Sequence, residues 1–253
     1  MLDHDTITPD IATASEDYAR RFAGPTGRYF LDVQQGLLGS LLGGARGGPL
    51  RVLELGGGHG QLAPALLAAG HEVWIQGSAV GCARRLQPPL LAERQDRLRF
   101  VVSSLWALPF ADRTFDAVLA VRLLAHVERW PELLQEMARL SRRTVIVDFP
   151  ARFSANLLEP ALFALKRRLE GNTRPFFCYR PHELQAPLAR AGFGRFRVAK
   201  QFCLPMVLHR TLQTPGLSAA LEGGCRRLGL TALLGTPCLL AAERLDTAAG
   251  QVA

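Results

Sequence analysis

Hydrophobic and polar positions follow two alternating patterns over the middle of the 253-residue chain. Short apolar runs, typical of strands buried on both faces, alternate with stretches in which apolar residues recur every three or four positions, as in amphipathic helices. The runs predict strands over Leu50–Leu55, Glu72–Gln76, Leu98–Val102, Phe115–Val121 and Thr144–Phe149. The stretches predict helices over Gln61–Ala69, Val80–Ala92 (interrupted by Pro88 and Pro89) and Trp130–Leu140. This alternation predicts a doubly wound, Rossmann-like α/β fold, with a mostly parallel sheet and helices on both faces.

The segments on either side of this alternation have different patterns. Helical spacing from Ser15 to Leu42 predicts an N-terminal helical cover over residues 1–49. Further helices are predicted over Leu157–Leu169 and His182–Ala191, and further strands over Phe193–Phe202 and Pro237–Arg244. We therefore expect a seven-stranded sheet in a main domain over residues 50–253, with insertions at about 151–178 and 204–235.

Cysteine usage and apolar run lengths restrict the class of protein. The five cysteines are widely spread and form no Cys-x-x-Cys pair, which argues against a disulfide framework and a zinc site. The N-terminus has no apolar run behind a basic start, and the apolar stretch from Leu228 to Ala242 is shorter than the about 20 residues of a membrane span. We expect a soluble, cytoplasmic protein without a metal, of undetermined oligomeric state.

Charge is distributed unevenly along the chain. The net charge is +8, yet residues 1–150 carry 16 basic and 16 acidic side chains, whereas residues 151–253 carry 14 and 6. An excess of arginine invites a nucleic-acid interpretation. The excess lies among phenylalanine and leucine, however, so we interpret it as a preference for an anionic, partly apolar small molecule or one held at a membrane. We expect no nucleic-acid partner.

The most informative segment is the glycine loop Gly56-Gly57-Gly58-His59-Gly60, which follows a predicted buried strand and precedes a helix. Glycines permit positive φ and close approach of a ligand, and a helix N-terminus presents free N–H groups. Gly58, Gly60 and Ala63 satisfy the dinucleotide pattern GxGxxA, whereas Glu54 and the loop satisfy the pattern acidic-x-G-x-G-x-G. The residues alone therefore predict a nucleotide-like ligand at the carboxyl ends of the first two strands.

Three further segments occur in order after this loop. They are Leu108–Val118, similar to LPFxDxxFDxV; Leu124-Ala125-His126-Val127, similar to LxHV; and Glu136–Leu140 followed by Val145–Asp148, similar to ExxRxL and its strand. Together with the loop they resemble the class I S-adenosylmethionine-dependent methyltransferases, in particular the small-molecule enzymes similar to those of ubiquinone and menaquinone biosynthesis. The resemblance covers about residues 45–150 well and 179–202 more weakly.

The resemblance implies S-adenosyl-L-methionine as cofactor. It implies that Gly56, Gly58 and Gly60 wrap the methionine part of the cofactor and that Glu54 holds its amino group. It also implies that a tyrosine of the N-terminal cover, Tyr18 or Tyr29, reaches the cofactor, although either ring could instead belong to the core at helical spacing.

Two positions depart from the family pattern. Gly77 stands where the family has an acidic residue that takes the ribose hydroxyls, and Gln76 or Ser78 could replace it in part. Ser104, before Leu105, stands where the family commonly has an aspartate at the adenine amine. Either the cofactor is held with altered contacts, or the chain is a non-catalytic binding or scaffolding protein that has lost the cofactor.

Candidates for the acceptor side follow from the chemistry of methyl transfer, which needs alignment and, for some acceptors, removal of a proton. His126 and His209 are candidate bases. His126 could instead pack against a helix, and His209 could instead lie on the surface. Arg174, Tyr179 and Arg180 are candidate acceptor-binding residues. Val121-Arg122-Leu123-Leu124 lacks the Asn/Asp-Pro-Pro-aromatic tetrad of base-amino methyltransferases. The apolar, basic-ended segment 157–169 is a packed helix, an acceptor wall or a peripheral membrane contact.

Overall fold

The computed structural model describes residues 10–11, 20, 22–43, 48–57, 60–86, 96–154 and 177–245. The strands are β1 (Arg51–Leu55), β2 (Glu72–Gly77), β3 (Leu98–Val102), β4 (Phe115–Ala120), β5 (Ser141–Phe149), β6 (Phe193–Phe202) and β7 (Thr236–Arg244). The α-helices are α1 (Gly24–Leu41), α2 (Ala63–Ala68), α3 (Trp130–Leu140), α4 (Pro181–Arg190), α5 (Met206–Leu212), α6 (Pro215–Arg227) and α7 (Leu230–Leu234). Short 3-10 helices cover Val80–Arg85 and Leu124–His126.

The seven strands form one sheet in the order β3-β2-β1-β4-β5-β7-β6. β1 to β5 pair in parallel, and β7 runs antiparallel to both β5 and β6. The predicted fold class, a mostly parallel doubly wound sheet, is confirmed. Because β6 runs in the same direction as β5, the connection from β6 to β7 leaves the sheet at the edge formed by the carboxyl ends of the parallel strands.

Two apolar layers cover the two faces of the sheet. On one face β1, β4 and β5 pack against α3 and α4, chiefly through Met137, Leu184 and Leu188. On the other face the same strands pack against α1 and α2, chiefly through Leu38, Leu66 and Leu67. β5 is buried from Val145 to Phe149, as expected for a strand covered on both sides. Within the part of the chain that the structure describes, no helix is both long and apolar enough to cross a membrane.

Several element bounds differ from the sequence expectation. The helical spacing from Ser15 to Leu42 corresponds in part to α1, which begins at Gly24 with φ of 73° and has Pro25 in its first turn. The predicted helix from Val80 is a 3-10 helix that ends at Arg85. The remainder of that prediction, and the predicted helix 157–169, lie outside the described residues. The 204–235 insertion contains α5, α6 and α7.

Candidate functional site

The carboxyl ends of β1, β2 and β4 meet at one edge of the sheet. The chain winds from β1 toward β2 and β3 on one side, and from β4 toward β5 on the other, so the order reverses between β1 and β4. Ligands of open α/β sheets bind in the crevice at such a reversal. The candidate site is therefore built from the loops that follow β1, β2 and β4.

The loop after β1 is held close to the end of β2. Gly56 and Gly60 take φ of 61° and 58°, which favours glycine at both positions. The backbone N–H of Gly57 donates to the Gln76 carbonyl at 3.2 Å, and that of Gly60 donates to the Gly57 carbonyl at 2.8 Å. A Cβ on Gly57 would lie 2.7 Å from the Glu54 side chain, so Gly57 leaves room for that carboxylate. Gly58 lies outside the described residues.

Glu54 is a fully buried carboxylate on β1. Neither of its oxygens has a hydrogen-bond partner among the described residues. Burial raises the pKa of Glu54 to about 7, against the opposing charge of Arg122. A buried carboxyl without donors costs free energy unless a cation or donor satisfies it, so this position suits a ligand with an ammonium group.

Arg122 is the complementary group, in the turn after β4. It takes φ of 58°, and its backbone N–H donates to the Asp148 carboxylate. Its guanidinium lies 4.6 Å from the ring centroid of Phe22, a favourable cation–π geometry. Three guanidinium nitrogens are buried and have no hydrogen-bond partner among the described residues. Arg122 was not a candidate from sequence; its position in the turn after β4 was the only available signal.

Asp10 reaches the end of β2 from the N-terminal segment. Its carboxylate accepts a hydrogen bond from the Ser78 backbone N–H at 2.6 Å and another from the Ser78 hydroxyl at 2.7 Å. The Cys82 thiol also faces it at 3.7 Å. Asp10 is fully buried, and a Cβ on Gly56 would lie 3.4 Å from the Asp10 Cβ. A carboxylate that no sequence motif indicated therefore lies between the glycine loop and the end of β2.

Gln76 joins the loops after β1 and β3. Its Oε1 accepts from the Gly56 N–H at 3.1 Å, and its Nε2 donates to the Ser103 carbonyl at 2.6 Å. The side chain is fully buried. Both ends of the amide are thus used to position loops, which leaves Gln76 little capacity to replace the missing strand-two acid.

Gly77 is packed so closely that a side chain there would require its neighbours to shift. A Cβ there would lie 2.7 Å from the Phe100 ring and 2.9 Å from the Cys82 Cβ. The absence of an acidic residue at this position therefore follows from packing.

The other predicted adenine-side residues have different environments. Ser104 is exposed, and its hydroxyl accepts from the Trp106 N–H at 3.2 Å. Leu105 is fully buried in the core. Ser104 thus has a polar atom at the edge of the cleft, whereas the Leu105 side chain packs beneath it.

Tyr179 contacts the loop after β4, which carries His126, and Arg180 follows Tyr179 in sequence. The Tyr179 hydroxyl donates to the Leu124 carbonyl at 3.1 Å, and its ring packs against Trp130 with centroids 5.5 Å apart. Burial raises the pKa of Tyr179. His126, partly exposed, ends the 3-10 helix of this loop, and Arg180 is exposed with its guanidinium 4.9 Å from the Phe153 ring centroid. Tyr179 thus anchors the loop that presents His126.

His209 lies in a closed cluster between α1, β6 and the insertion. It is fully buried, and its Nε2 lies 3.0 Å from the Glu222 Oε1. The rings of Phe30 and Phe202 each have centroids 5.9 Å from the imidazole. The surface position considered from sequence is wrong, because the cluster excludes solvent. We assign His209 no role as a base, since a base must reach the acceptor.

Tyr29 belongs to the same cluster. Its ring centroid lies 5.8 Å from that of Phe202 and 6.3 Å from that of His209. Burial raises the pKa of Tyr29. These contacts join α1 to the insertion. The other two predicted side chains, Tyr18 and Arg174, lie outside the described residues, as does His59.

Metal binding has no support in the described part of the chain. No group of three or more His, Cys, Asp or Glu side chains there could hold a metal ion.

Part of the chain matches a known protein family. Residues 53–147 match the model of a family described as a methyltransferase domain. A sequence search of curated proteins finds no match.

Solved structures share the fold at low sequence identity. Magnesium protoporphyrin IX methyltransferase from Synechocystis, with bound SAH, is 16% identical, has a TM-score of 0.62, and aligns over 90% of this chain and 93% of that one. Geranyl diphosphate methyltransferase in complex with GPP and sinefungin is 17% identical, with a TM-score of 0.60 over 85% of this chain and 77% of that one.

A third structure is Haemonchus contortus phosphoethanolamine N-methyltransferase 2 in complex with S-adenosyl-L-methionine. It is 16% identical, with a TM-score of 0.60 over 83% of this chain, which spans 52% of that longer chain. The chain thus shares the fold of these solved methyltransferases, and its residues 53–147 match the methyltransferase-domain model.

Proposed function

We propose that this protein transfers the methyl group of S-adenosyl-L-methionine to a small-molecule acceptor. The observation that carries the proposal is the pair Glu54 and Arg122, two buried, oppositely charged groups beside the glycine loop. The cofactor's methionine part is a zwitterion with an ammonium and a carboxylate. The pair therefore offers one complementary charge to each.

The buried polar atoms fit this ligand. Glu54 would accept from the ammonium, and its pKa of about 7 would fall when a cation lies beside it. Arg122 would donate to the carboxylate, and a guanidinium–carboxylate pair is a strong, charge-assisted interaction. Each group thereby gains a partner that the described residues do not supply.

Asp10 completes the proposed site at the ribose. Nucleotide-binding doubly wound folds use an acidic residue about 20 positions after the glycine loop to bind ribose hydroxyls. Packing of Phe100 and Cys82 opposes a side chain at Gly77, and the Asp10 carboxylate lies beside the neighbouring Ser78. We therefore assign the ribose-binding role to Asp10, with Ser78 positioning it.

The bound cofactor supplies an electrophilic methyl group on a sulfonium. The chain's own residues align the cofactor through Glu54, Arg122 and Asp10. His126, in the loop after β4, would take a proton from an acceptor that must lose one. The exposed Arg180, with Arg174, would attract an anionic, partly apolar acceptor.

Calorimetric titration with S-adenosylhomocysteine tests the proposal directly. We expect one site per chain, with affinity reduced in Glu54→Gln and Arg122→Met and unchanged in the exposed Asp32→Asn. Absence of binding to the native, folded protein would instead favour a non-catalytic scaffolding protein, for which the neutral Gly77 and Ser104 are the supporting observation. Mass spectrometry of ligand carried through purification would then search for the acceptor.

A further inference from the structure

The insertion between β6 and β7 presents an apolar outer surface. Of the fourteen large hydrophobic side chains that are exposed among the described residues, eight lie within this one segment. They are Val207, Leu208, Leu217, Leu221, Leu228, Leu230, Leu233 and Leu234. We refer to these eight residues as the apolar surface.

The apolar surface extends over three neighbouring helices. α6 contacts both α5 and α7. On α6, Leu217 and Leu221 are one turn apart and exposed, whereas Ser218 and Glu222 on the adjacent face are fully buried. Leu228 and Leu233 are 76% and 70% exposed. The helices thus bury their polar Ser218–Glu222 face and present aliphatic side chains outward.

The exposed charged residues within segment 204–235 are all arginines, and one of them, Arg226, donates to the Gln201 carbonyl at 3.2 Å. Arg210, Arg226 and Arg227 are exposed on α5 and α6. Glu222 is the only acidic residue in the sequence from 204 to 235, and it is fully buried. Its carboxylate accepts from the backbone N–H groups of Cys203 and Leu204, both at 2.9 Å, and faces His209. It therefore fixes the insertion from inside, where it shares the surroundings of Tyr29 with Arg226, and it forms no ion pair with Arg210 or Arg227 among the described residues.

We propose that the apolar surface binds an anionic lipid membrane. Aliphatic side chains flanked by arginines suit the boundary between acyl chains and negatively charged headgroups. A second copy of the chain fits this surface less well, because a two-fold dimer would bring the arginines of both copies together at one interface.

The topology places this membrane contact at the same edge of the sheet as the proposed methyl-transfer site, beside β6, which β5 and β7 separate from β4. β6 ends at the same edge as β5, with Phe202 paired to Thr236 at the start of β7. The Thr236 hydroxyl accepts from the Ala151 N–H at 3.2 Å, just beyond the end of β5. Membrane binding itself does not depend on the proposed function. If that function holds, the membrane contact and the methyl-transfer site share one edge of the sheet, which suits an apolar acceptor held in the lipid.

Co-sedimentation with lipid vesicles tests the proposal. We expect the full-length protein to bind vesicles of phosphatidylcholine mixed with phosphatidylglycerol, and to bind pure phosphatidylcholine weakly. Binding should weaken at high salt, because the arginines act through screened charges. The double variant Leu217→Ser/Leu221→Ser should lose at least about tenfold in vesicle affinity, and Arg227→Glu at least about fivefold.

The matched control is Val102→Ser/Val198→Ser, which removes two exposed aliphatic side chains on β3 and β6. This variant should bind vesicles as the native protein does, and all variants should keep the native melting temperature. Failure of the native protein to bind anionic vesicles would overturn the proposal. So would a concentration-dependent dimer that the Leu217→Ser/Leu221→Ser variant abolishes. Calorimetry with S-adenosylhomocysteine tests the proposed function, and vesicle binding tests the membrane proposal. Either result can therefore contradict one proposal without affecting the other.

Discussion

Asp10 and Ser78 are joined by two hydrogen bonds across 68 positions of the chain. The carboxylate accepts from the backbone N–H at 2.6 Å and from the hydroxyl at 2.7 Å. The first segment of the chain therefore contributes a charged group to the carboxyl end of β2, next to the glycine loop. This arrangement and the groups around it lead to five predictions.

Asp10→Asn should weaken binding of S-adenosylhomocysteine by at least about tenfold, because hydrogen bonds to a charged acceptor are about twice as strong as neutral ones. Isothermal titration calorimetry measures the change. Asp32→Asn, on the exposed side of α1, is the control and should bind normally. Tighter binding by Asp10→Asn would mean that Asp10 blocks the site and does not take part in it.

Arg122→Met should weaken the binding of S-adenosylhomocysteine by at least about tenfold, because the ligand's carboxylate loses its charged donor. 5′-Methylthioadenosine lacks the amino-acid part, so its affinity should be the same in Arg122→Met as in the native protein. Asp10→Asn should weaken the binding of both ligands. If Arg122→Met weakens 5′-methylthioadenosine as strongly as S-adenosylhomocysteine, Arg122 supports the site generally and does not bind the carboxylate.

The ligand-free protein should lose stability as pH rises from about 4.5 through 7. Burial raises the pKa of Glu54 from 4.5 to about 7 and that of Asp148 from 3.8 to about 6. Over this interval the folded state binds more protons than the unfolded state, so the free energy of unfolding falls with rising pH. Glu54→Gln should flatten this dependence above pH 6, as measured by urea denaturation at a series of pH values. An unchanged slope would contradict the burial of an ionisable Glu54.

The same pKa predicts proton release on ligand binding near pH 7. An ammonium beside Glu54 favours the ionised carboxylate, so the protonated fraction must lose its proton when the ligand binds. Calorimetric enthalpies in buffers of different ionisation enthalpy give the number of protons released. Glu54→Gln should abolish the Glu54 contribution.

Gly77→Asp should not restore an acid at the end of β2. The new side chain would meet the Phe100 ring and Cys82 at under 3 Å, so we expect a loss of about 1–3 kcal/mol in stability. Thermal unfolding measures it. Gly36→Ala, on α1 with no atom within 4 Å of the added Cβ, is the control and should keep or raise the melting temperature. A Gly77→Asp protein as stable as the native one would show that Phe100 can move.

The central sheet could be predicted from sequence because buried parallel strands appear as continuous apolar runs. The bounds of β3, β6 and α3 match the predicted ones. β5 begins three residues earlier than expected, at Ser141. Its first three residues are polar, and the two arginines among them, Arg142 and Arg143, are exposed. Periodicity marks only the buried part of a strand.

Long-range polar contacts were beyond sequence reasoning. Glu54 and the glycine loop follow a contiguous motif, whereas Asp10 is 68 positions from Ser78 and belongs to no motif. Arg122 lies in a positive-φ turn without periodicity. His209 could not be placed from sequence because its partner Glu222 lies on a different helix, 13 positions away.

The crowding around Gly77 has a consequence for how such chains are compared. A sequence pattern that requires an acidic residue at the end of β2 does not match this chain, because Phe100 and Cys82 occupy the space beside Gly77. The Asp10 carboxylate contacts Ser78, the residue after Gly77, although it lies 68 positions before Ser78 in the sequence. Relatives that lack the strand-two acid should therefore be compared by the position of a carboxylate in their folded structures. The segment that precedes α1 is the first place to search for that carboxylate.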